Sequence, residues 1–378
     1  MADKIIRVAQ IIGIAGTGGV ESVIMNYYRH IDKTKIQFDF FVESDSIIID
    51  KKFIESMGGK VVIIPPYKKI FKFIKELVRL LKEGNYDIVH SNMNALSVFS
   101  LFAASLAGNK IRIAHSHTTT NKKEWKKNII KLILRPFSKV FATHYFACSE
   151  VAGRWLFGDR TFKKGKVTII NNAIDTDKFA FDFNKREKIR KELNIKDEIL
   201  IGHIGRFVPQ KNHDFIINIF NDYYKQNHNS KLLLIGEGED MTKIQNLVKE
   251  KCLLNQVIFL GGVNNTYDYY QAMDCFILPS LYEGLPVVGV EAQACLLPCY
   301  FSNNVTSEIL INTNVKILNL NVKEWVSELV KINIFERNSC INNVLNSKYN
   351  IVKESEKLKD IYISIVKNEK KRGRKWSQ

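Results

Sequence analysis

Short apolar runs alternate with longer helical patterns along most of this 378-residue chain, and that alternation narrows the possible folds more than any other feature. Strand-like runs fall at 5–12, 38–42, 61–64, 88–90, 111–115, 145–148 and 167–170, then at 199–203, 231–235, 257–260, 275–278 and 299–301. Helical patterns lie between them, at 70–82, 95–107 and 122–140, then at 214–224, 241–251, 267–273 and 286–294. Short, continuously apolar strands separated by helices predict parallel sheets covered on both faces, an α/β architecture. The length suits two such domains rather than one. The boundary is expected in the polar stretch 171–184, giving domains at 1–175 and 176–352, with a final helix near 352–368 and a basic tail to 378.

Hydrophobic content of 46% is enough for buried cores. The longest apolar candidate, 95–107, is shorter than the roughly 20 residues a membrane span needs. The first residues, MADKIIRVAQIIG, lack the layout of a signal peptide and read as a first strand. Six cysteines are scattered without a CxxC pair, which fits a reducing cytosol and argues against zinc. The net charge of +17 is uneven. Residues 1–180 carry about +13 and the tail from Lys367 about +5, so an anionic partner surface or a solvated basic face is expected there.

The densest motif is 275–298, CFILPSLYEGLPVVGVEAQACLLP. Cys275 to Leu278 reads as a buried strand, followed by a turn and a helix that begins near Pro286. Gly284 frees the backbone just before it, and the unpaired amides of a helix start favour phosphate. Glu283 precedes this helix and Glu291 lies about two turns into it. By spacing alone the two carboxylates fit either a long phosphate-bearing ligand or a solvated turn. GIAGTGGVE at 13–21 is a glycine-rich strand-to-helix turn, but neither GxGxxG nor a P-loop. Arg206 and Lys211 bracket another such junction and fit a diphosphate or a surface ion pair. His117 ends the strand 111–115 with His115, where a neutral imidazole meets a ligand or only packs. Gly236-Glu237-Gly238 is of low specificity. Asp175-Thr176-Asp177 matches a metal-binding pattern by letters alone and sits in the expected link.

Two helices carry basic stripes. Lys68, Lys72, Lys75, Arg79 and Lys82 recur at three- and four-residue steps, as do Lys123, Lys127, Lys131 and Arg135. Phe71, Phe73, Leu77, Trp125, Ile129 and Ile133 interleave with them. Such helices fit an anionic membrane surface or a solvated face, and no nucleic-acid motif accompanies the charge.

In order, the motifs GTGGVE (16–21), RIAHSHT (112–118), ACSEVAGRWLFG (147–158), NNAIDTDKF (171–179), GHIGRFVPQKNHDF (202–215), LLLIGEGE (232–239), VIFLGGV (257–263) and AMDCFILPSLYEGLPVVGVEAQA (272–294) resemble the retaining glycosyltransferases of family GT4. The match is closest to members that build bacterial exopolysaccharide and capsule, and it weakens beyond residue 310. The resemblance implies the GT-B fold, two Rossmann-like domains facing each other across a cleft, with a C-terminal helix crossing back onto the first. It implies that Arg206 and Lys211 bind the donor diphosphate. Glu283 contacts the donor sugar and Glu291 the ribose, while Gly284 and Leu285 offer amides. Val263 packs on the base, Gly18 and Gly19 form a closing loop, and His117 faces the sugar near the reacting carbon.

On this resemblance, His117 and Glu283 are the expected catalytic residues. No cofactor and no catalytic metal are expected, because the cations and the helix start stabilise the departing diphosphate. The expected enzyme moves a hexose or N-acetylhexosamine, with UDP the expected nucleotide, onto a lipid-linked glycan. The N-terminal domain is expected to bind the acceptor and to face the inner surface of the plasma membrane through Lys68, Lys72, Lys75, Arg79, Lys123, Lys127 and Lys131. A transferase with a soluble acceptor, a sugar-nucleotide epimerase and a binding protein without turnover are the rival readings. The chain departs from the family pattern at Leu296, where Gly is common, and at Gly289, a glycine inside the helix.

Overall fold

The computed structural model describes residues 4–15, 19–46, 50–117, 131–263, 265–332 and 342–375. The chain forms two compact units, Met1–Ala173 with Ile351–Gln378, and Ile174–Asn350. Each is built on one parallel sheet.

The first unit holds β1 (Ile6–Gly13), β2 (Ile36–Glu43), β3 (Val61–Ile64), β4 (Ile88–Ser91), β5 (Ile111–Ser116), β6 (His144–Ala147) and β7 (Val167–Ile169). Their order is β3-β2-β1-β4-β5-β6-β7. The order reverses between β1 and β4, so their C-terminal ends open a crevice that helices leave uncovered. Alternation along β1 sends Ile6 and Val8 to one core face and Ala9 and Ile11 to the other. The last helix, Ile351–Lys375, belongs to this unit. Its Ile351, Leu358, Tyr362 and Val366 form one stripe, buried against the core that also contains the helix Gly19–His30.

The second unit holds β8 (Ile199–Ile204), β9 (Ser230–Ile235), β10 (Val257–Phe259), β11 (Cys275–Leu278), β12 (Cys299–Ser302) and β13 (Val315–Leu318), in the order β10-β9-β8-β11-β12-β13. Every strand pair is parallel. Along β11, Cys275 and Ile277 enter one core face and Phe276 and Leu278 the other. The reversal here lies between β8 and β11.

Two elements of this unit were not legible from apolar periodicity. β13 is an edge strand whose Lys316 is exposed. The helix Phe183–Glu192, FNKREKIRKE, has almost no apolar stripe. It is held by Arg186 and Arg190, which bind the two oxygens of buried Asp274 at 2.6 and 3.2 Å, while the Leu200 amide donates to Asp274 Oδ2. The helix expected at 122–140 lies outside the described residues as far as 130. Beyond residue 134 it tightens into a 3-10 turn, Arg135–Lys139, because Pro136 removes a backbone donor.

Candidate functional site

At the reversal point of the second sheet, the loop after β8 lies beside the loop after β11. Three hydrogen bonds join them: Leu281 N–H to Gln210 O at 2.9 Å, Gln210 Nε2 to Tyr282 O at 3.0 Å, and Asn212 Nδ2 to Pro279 O at 3.1 Å. Asn212 makes its turn with φ +59°, a left-handed conformation that asparagine tolerates well. This stitching sets Lys211 Nζ 2.5 Å from Glu283 Oε1. Ser280 Oγ donates to the same oxygen at 3.2 Å, and the Glu283 amide donates to Asn304 O. The two side chains of the pair are only 15% and 12% exposed. Arg206 stands on the first of these loops, exposed and without an ion-pair partner among the described residues.

The glycines of Gly236-Glu237-Gly238 have a packing reason. A Cβ on Gly236 would lie 2.1 Å from Gly205 O, and one on Gly238 would lie 2.3 Å from Phe207 O. Glu237 turns away and accepts from the Gly262 amide at 3.2 Å. Close to Lys211, His213 stacks on Phe207 with ring centroids 4.0 Å apart and meets His203 edge-on. Burial, then the nearby Lys211 charge, pushes His213 down to about 4. Burial keeps both rings neutral at pH 7, so the cations of this loop are Lys211 and Arg206.

The helix Val287–Ala294 begins after Pro286 with no side-chain cap, which leaves its first amides for another partner. Glu291 lies on it, partly buried. Its Oε2 is 3.0 Å from the Tyr270 hydroxyl, which is also 3.0 Å from Val288 O. Burial raises the Glu291 carboxyl to about 7, against an opposing contribution from the Tyr270 hydrogen bond and a smaller one from Lys178. Gly284 is exposed, and a Cβ there would meet no atom of the protein within 4 Å. Val263 and Leu285 are partly buried against the same core. Gly289 has a strict packing reason: a Cβ would sit 2.8 Å from Phe301 Cε1 and 3.1 Å from Ile309 Cδ1. Leu296 occupies the position that usually needs glycine, with φ +61°. Its amide donates to Gln293 O and that of Leu297 to Ala292 O, the pair of bonds that closes a Schellman helix end.

In the first unit, His117 follows β5 and is 8% exposed. Its amide donates to Asn94 Oδ1, and its Nε2 is 2.9 Å from Asn92 Oδ1. Burial lowers its pKa to about 3. Gly19 opens the helix Gly19–His30, and no neighbour within 4 Å dictates glycine there. Gly18, Lys123 and Lys127 lie outside the described residues. Lys68, Lys72 and Lys75 are exposed and flank Phe71, which is 88% exposed. Arg79 is exposed too, but its guanidinium binds Glu76 at 2.6 Å and Glu83 at 2.7 Å on its own helix. Lys131 is half-buried and precedes the exposed Leu132, Ile133, Phe137 and Val140.

The structure thus brings Lys211 and Glu283 together and pairs Glu291 with Tyr270. Sequence reading missed Ser280 and Tyr270. Ser280 lies inside the densest motif, where a serine after a strand end was a legible signal. Tyr270 sits on the helix Thr266–Ala272, where no residue carries a site signal in the sequence.

The sequence model of glycosyltransferase family 4 matches residues 17–178, and that of the group 1 glycosyl transferases matches residues 185–319. EpsF of Bacillus subtilis (strain 168), named as a glycosyltransferase, is 34% identical over 310 residues, 80% of either chain. The UDP-Gal:alpha-D-GlcNAc-diphosphoundecaprenol alpha-1,3-galactosyltransferase of Escherichia coli is 30% identical over 321 residues, covering 79% of this chain and 81% of that one. The crystal structure of Anabaena HepE in complex with UDP and glucose matches with a TM-score of 0.79 at 16% identity, over 95% of this chain and all of that one. The two parallel sheets and these likenesses define a GT-B glycosyltransferase. The chain belongs to the family 4, group 1 glycosyltransferases.

Proposed function

We propose that this glycosyltransferase moves a sugar, with retention of anomeric configuration, from a UDP-linked donor to a lipid-linked glycan in cell-surface polysaccharide synthesis. The observation that carries the reading is the Lys211–Glu283 pair, held by stitched loops at the reversal point of the second sheet. A diphosphate arriving there meets Lys211, exposed Arg206 and the uncapped start of Val287–Ala294. These charges stabilise the leaving group as the bond from sugar to phosphate breaks, so we infer that no catalytic metal is needed. Glu283 then holds sugar hydroxyls, and Glu291 accepts from the ribose. The open space at Gly284 lets a ligand approach the backbone. Within the first unit, we infer that His117 meets a sugar hydroxyl. The acceptor oxygen bonds to the anomeric carbon on the face that the diphosphate leaves, and its proton passes to a leaving phosphate oxygen.

The UDP bound by HepE and the diphosphoundecaprenol acceptor named for the Escherichia coli relative support the donor and acceptor classes. Exposed Phe71 among Lys68, Lys72 and Lys75, and the apolar surface after Lys131, support a first unit that rests on an anionic inner membrane face. No described helix is long and apolar enough to cross a membrane. A screen of nucleotide sugars by thermal shift, followed by transfer assays with a diphospholipid-linked sugar, tests the reading. UDP-sugars should stabilise the protein most, and donor consumption should require the acceptor. Turnover of donor without any acceptor points instead to an epimerase.

A further inference from the structure

We infer that Tyr362, Gln10 and Asn92 are positioning residues that hold His117 in one tautomer, with its proton on Nε2 and a lone pair on Nδ1. The inference rests on the reading that His117 meets a sugar hydroxyl, and it specifies the hydrogen bond made there.

The network is buried and its direction can be followed atom by atom. Asn92 Nδ2 donates to Gln10 Oε1 at 2.9 Å, and Gln10 Nε2 donates to the Tyr362 oxygen at 3.2 Å. The Asn92 amide is thereby oriented with Oδ1 toward His117 Nε2, 2.9 Å away. A carbonyl oxygen only accepts, so that nitrogen carries the proton. The Tyr362 hydroxyl also lies 2.6 Å from His90 Nδ1, and His90 Nε2 lies 3.0 Å from His115 Nδ1. His117 Nδ1 is buried and has no hydrogen-bond partner among the described residues. An unprotonated imidazole nitrogen accepts, so His117 would accept from a hydroxyl rather than donate to an oxygen. The last helix, far away in sequence, is therefore coupled to the site through Tyr362.

The groups facing His117 are His115, with ring centroids 3.9 Å apart, His90 on β4 and the Cys148 thiol after β6, which donates to His117 O. Burial alone keeps its imidazole neutral across the physiological range.

Histidine-labelled full-length protein, observed by long-range nitrogen–proton correlation NMR, tests the inference. The expected wild-type spectrum shows His117 neutral and protonated at Nε2 from pH 6 to 8. Tyr362→Phe keeps the ring that packs on Phe38 and Phe146 and removes only the hydroxyl. It should mix the tautomers and lower kcat about tenfold with donor KM unchanged. Asn92→Asp places a charge against Nε2, so His117 should gain a proton and activity should recover as pH rises. A wild-type His117 protonated at Nδ1, or variants that alter neither tautomer nor kcat, overturns the inference. Wild-type turnover in His117→Ala overturns the site reading beneath it, whatever the tautomer.

Discussion

Lys211 Nζ lies 2.5 Å from Glu283 Oε1, and Ser280 Oγ lies 3.2 Å from that same oxygen. One of the two candidate cations, Lys211, is thus already held by the carboxylate proposed to contact the sugar. On the proposed function, a diphosphate would have to share Lys211 with Glu283. Lys211→Ala should weaken UDP binding and cut sugar transfer about 100-fold or more. Glu283→Gln frees Lys211, so UDP should bind at least as tightly while transfer still falls about 100-fold. Titration calorimetry with UDP, set beside turnover, separates the two variants. Equal loss of UDP affinity in both would contradict this division of roles.

Glu291 provides a pH signature. Its folded pKa of about 7 lies above the ordinary value of 4.5, so the folded protein holds a proton that the unfolded chain releases between these values. Its contribution to stability is fully present below about 4.5 and is lost as pH rises to about 7. Glu291→Gln should therefore be more stable than wild type at pH 8 and indistinguishable at pH 4. On the proposed function, nucleotide binding should run the other way, because ribose hydroxyls would donate to the ionised form. UDP affinity should fall as pH drops from 8 to 6, and Glu291→Gln should abolish that slope. Melting curves and UDP titrations across this range check both signs.

Leu296 and Gly289 are exchanged relative to what their backbones ask for. Leu296→Gly relieves a left-handed leucine and should stabilise the fold by about 1 kcal/mol. Gly289→Ala gains about 1 kcal/mol of helix propensity but drives a methyl into Phe301, and overpacking costs about 1–3 kcal/mol. The first variant should melt higher than wild type and the second lower. Chemical denaturation of both, with activity measured alongside, checks the account.

Much of the architecture was legible because buried parallel strands are continuous apolar runs; β11 is the clearest example. What escaped depended on partners far away in sequence. The helix Phe183–Glu192 is polar and is fixed by Asp274, more than eighty residues on. β13 is short, with an exposed lysine at its second position. At the site, Glu283 and Glu291 could be read from one motif. The contact between Lys211 and Glu283 could not, because it depends on how two loops are stitched. His117 stood out at the end of its strand, but nothing in the sequence ties Gln10, Asn92 or Tyr362 to it, because that network joins residues as far as 352 apart.

The proposed contact with an anionic membrane gives a prediction of its own. Lys68, Lys72 and Lys75 should each contribute about 1 kcal/mol of attraction to an anionic leaflet. Arg79 should contribute less, since Glu76 and Glu83 neutralise it. Reversing the three lysines to glutamate, or Phe71→Ser, should reduce co-sedimentation with anionic vesicles and leave turnover on a detergent-soluble acceptor unchanged. Wild-type protein that ignores such vesicles at physiological salt removes this part of the account.

The most direct test of the central claim is the stereochemistry of the transferred sugar. Proton NMR of the product formed from a UDP-α-sugar and a diphospholipid-linked acceptor should show an α-linkage, with that product absent from Glu283→Ala and Lys211→Ala protein that remains folded. A β-linked product, or undiminished α-product from either variant, would contradict it.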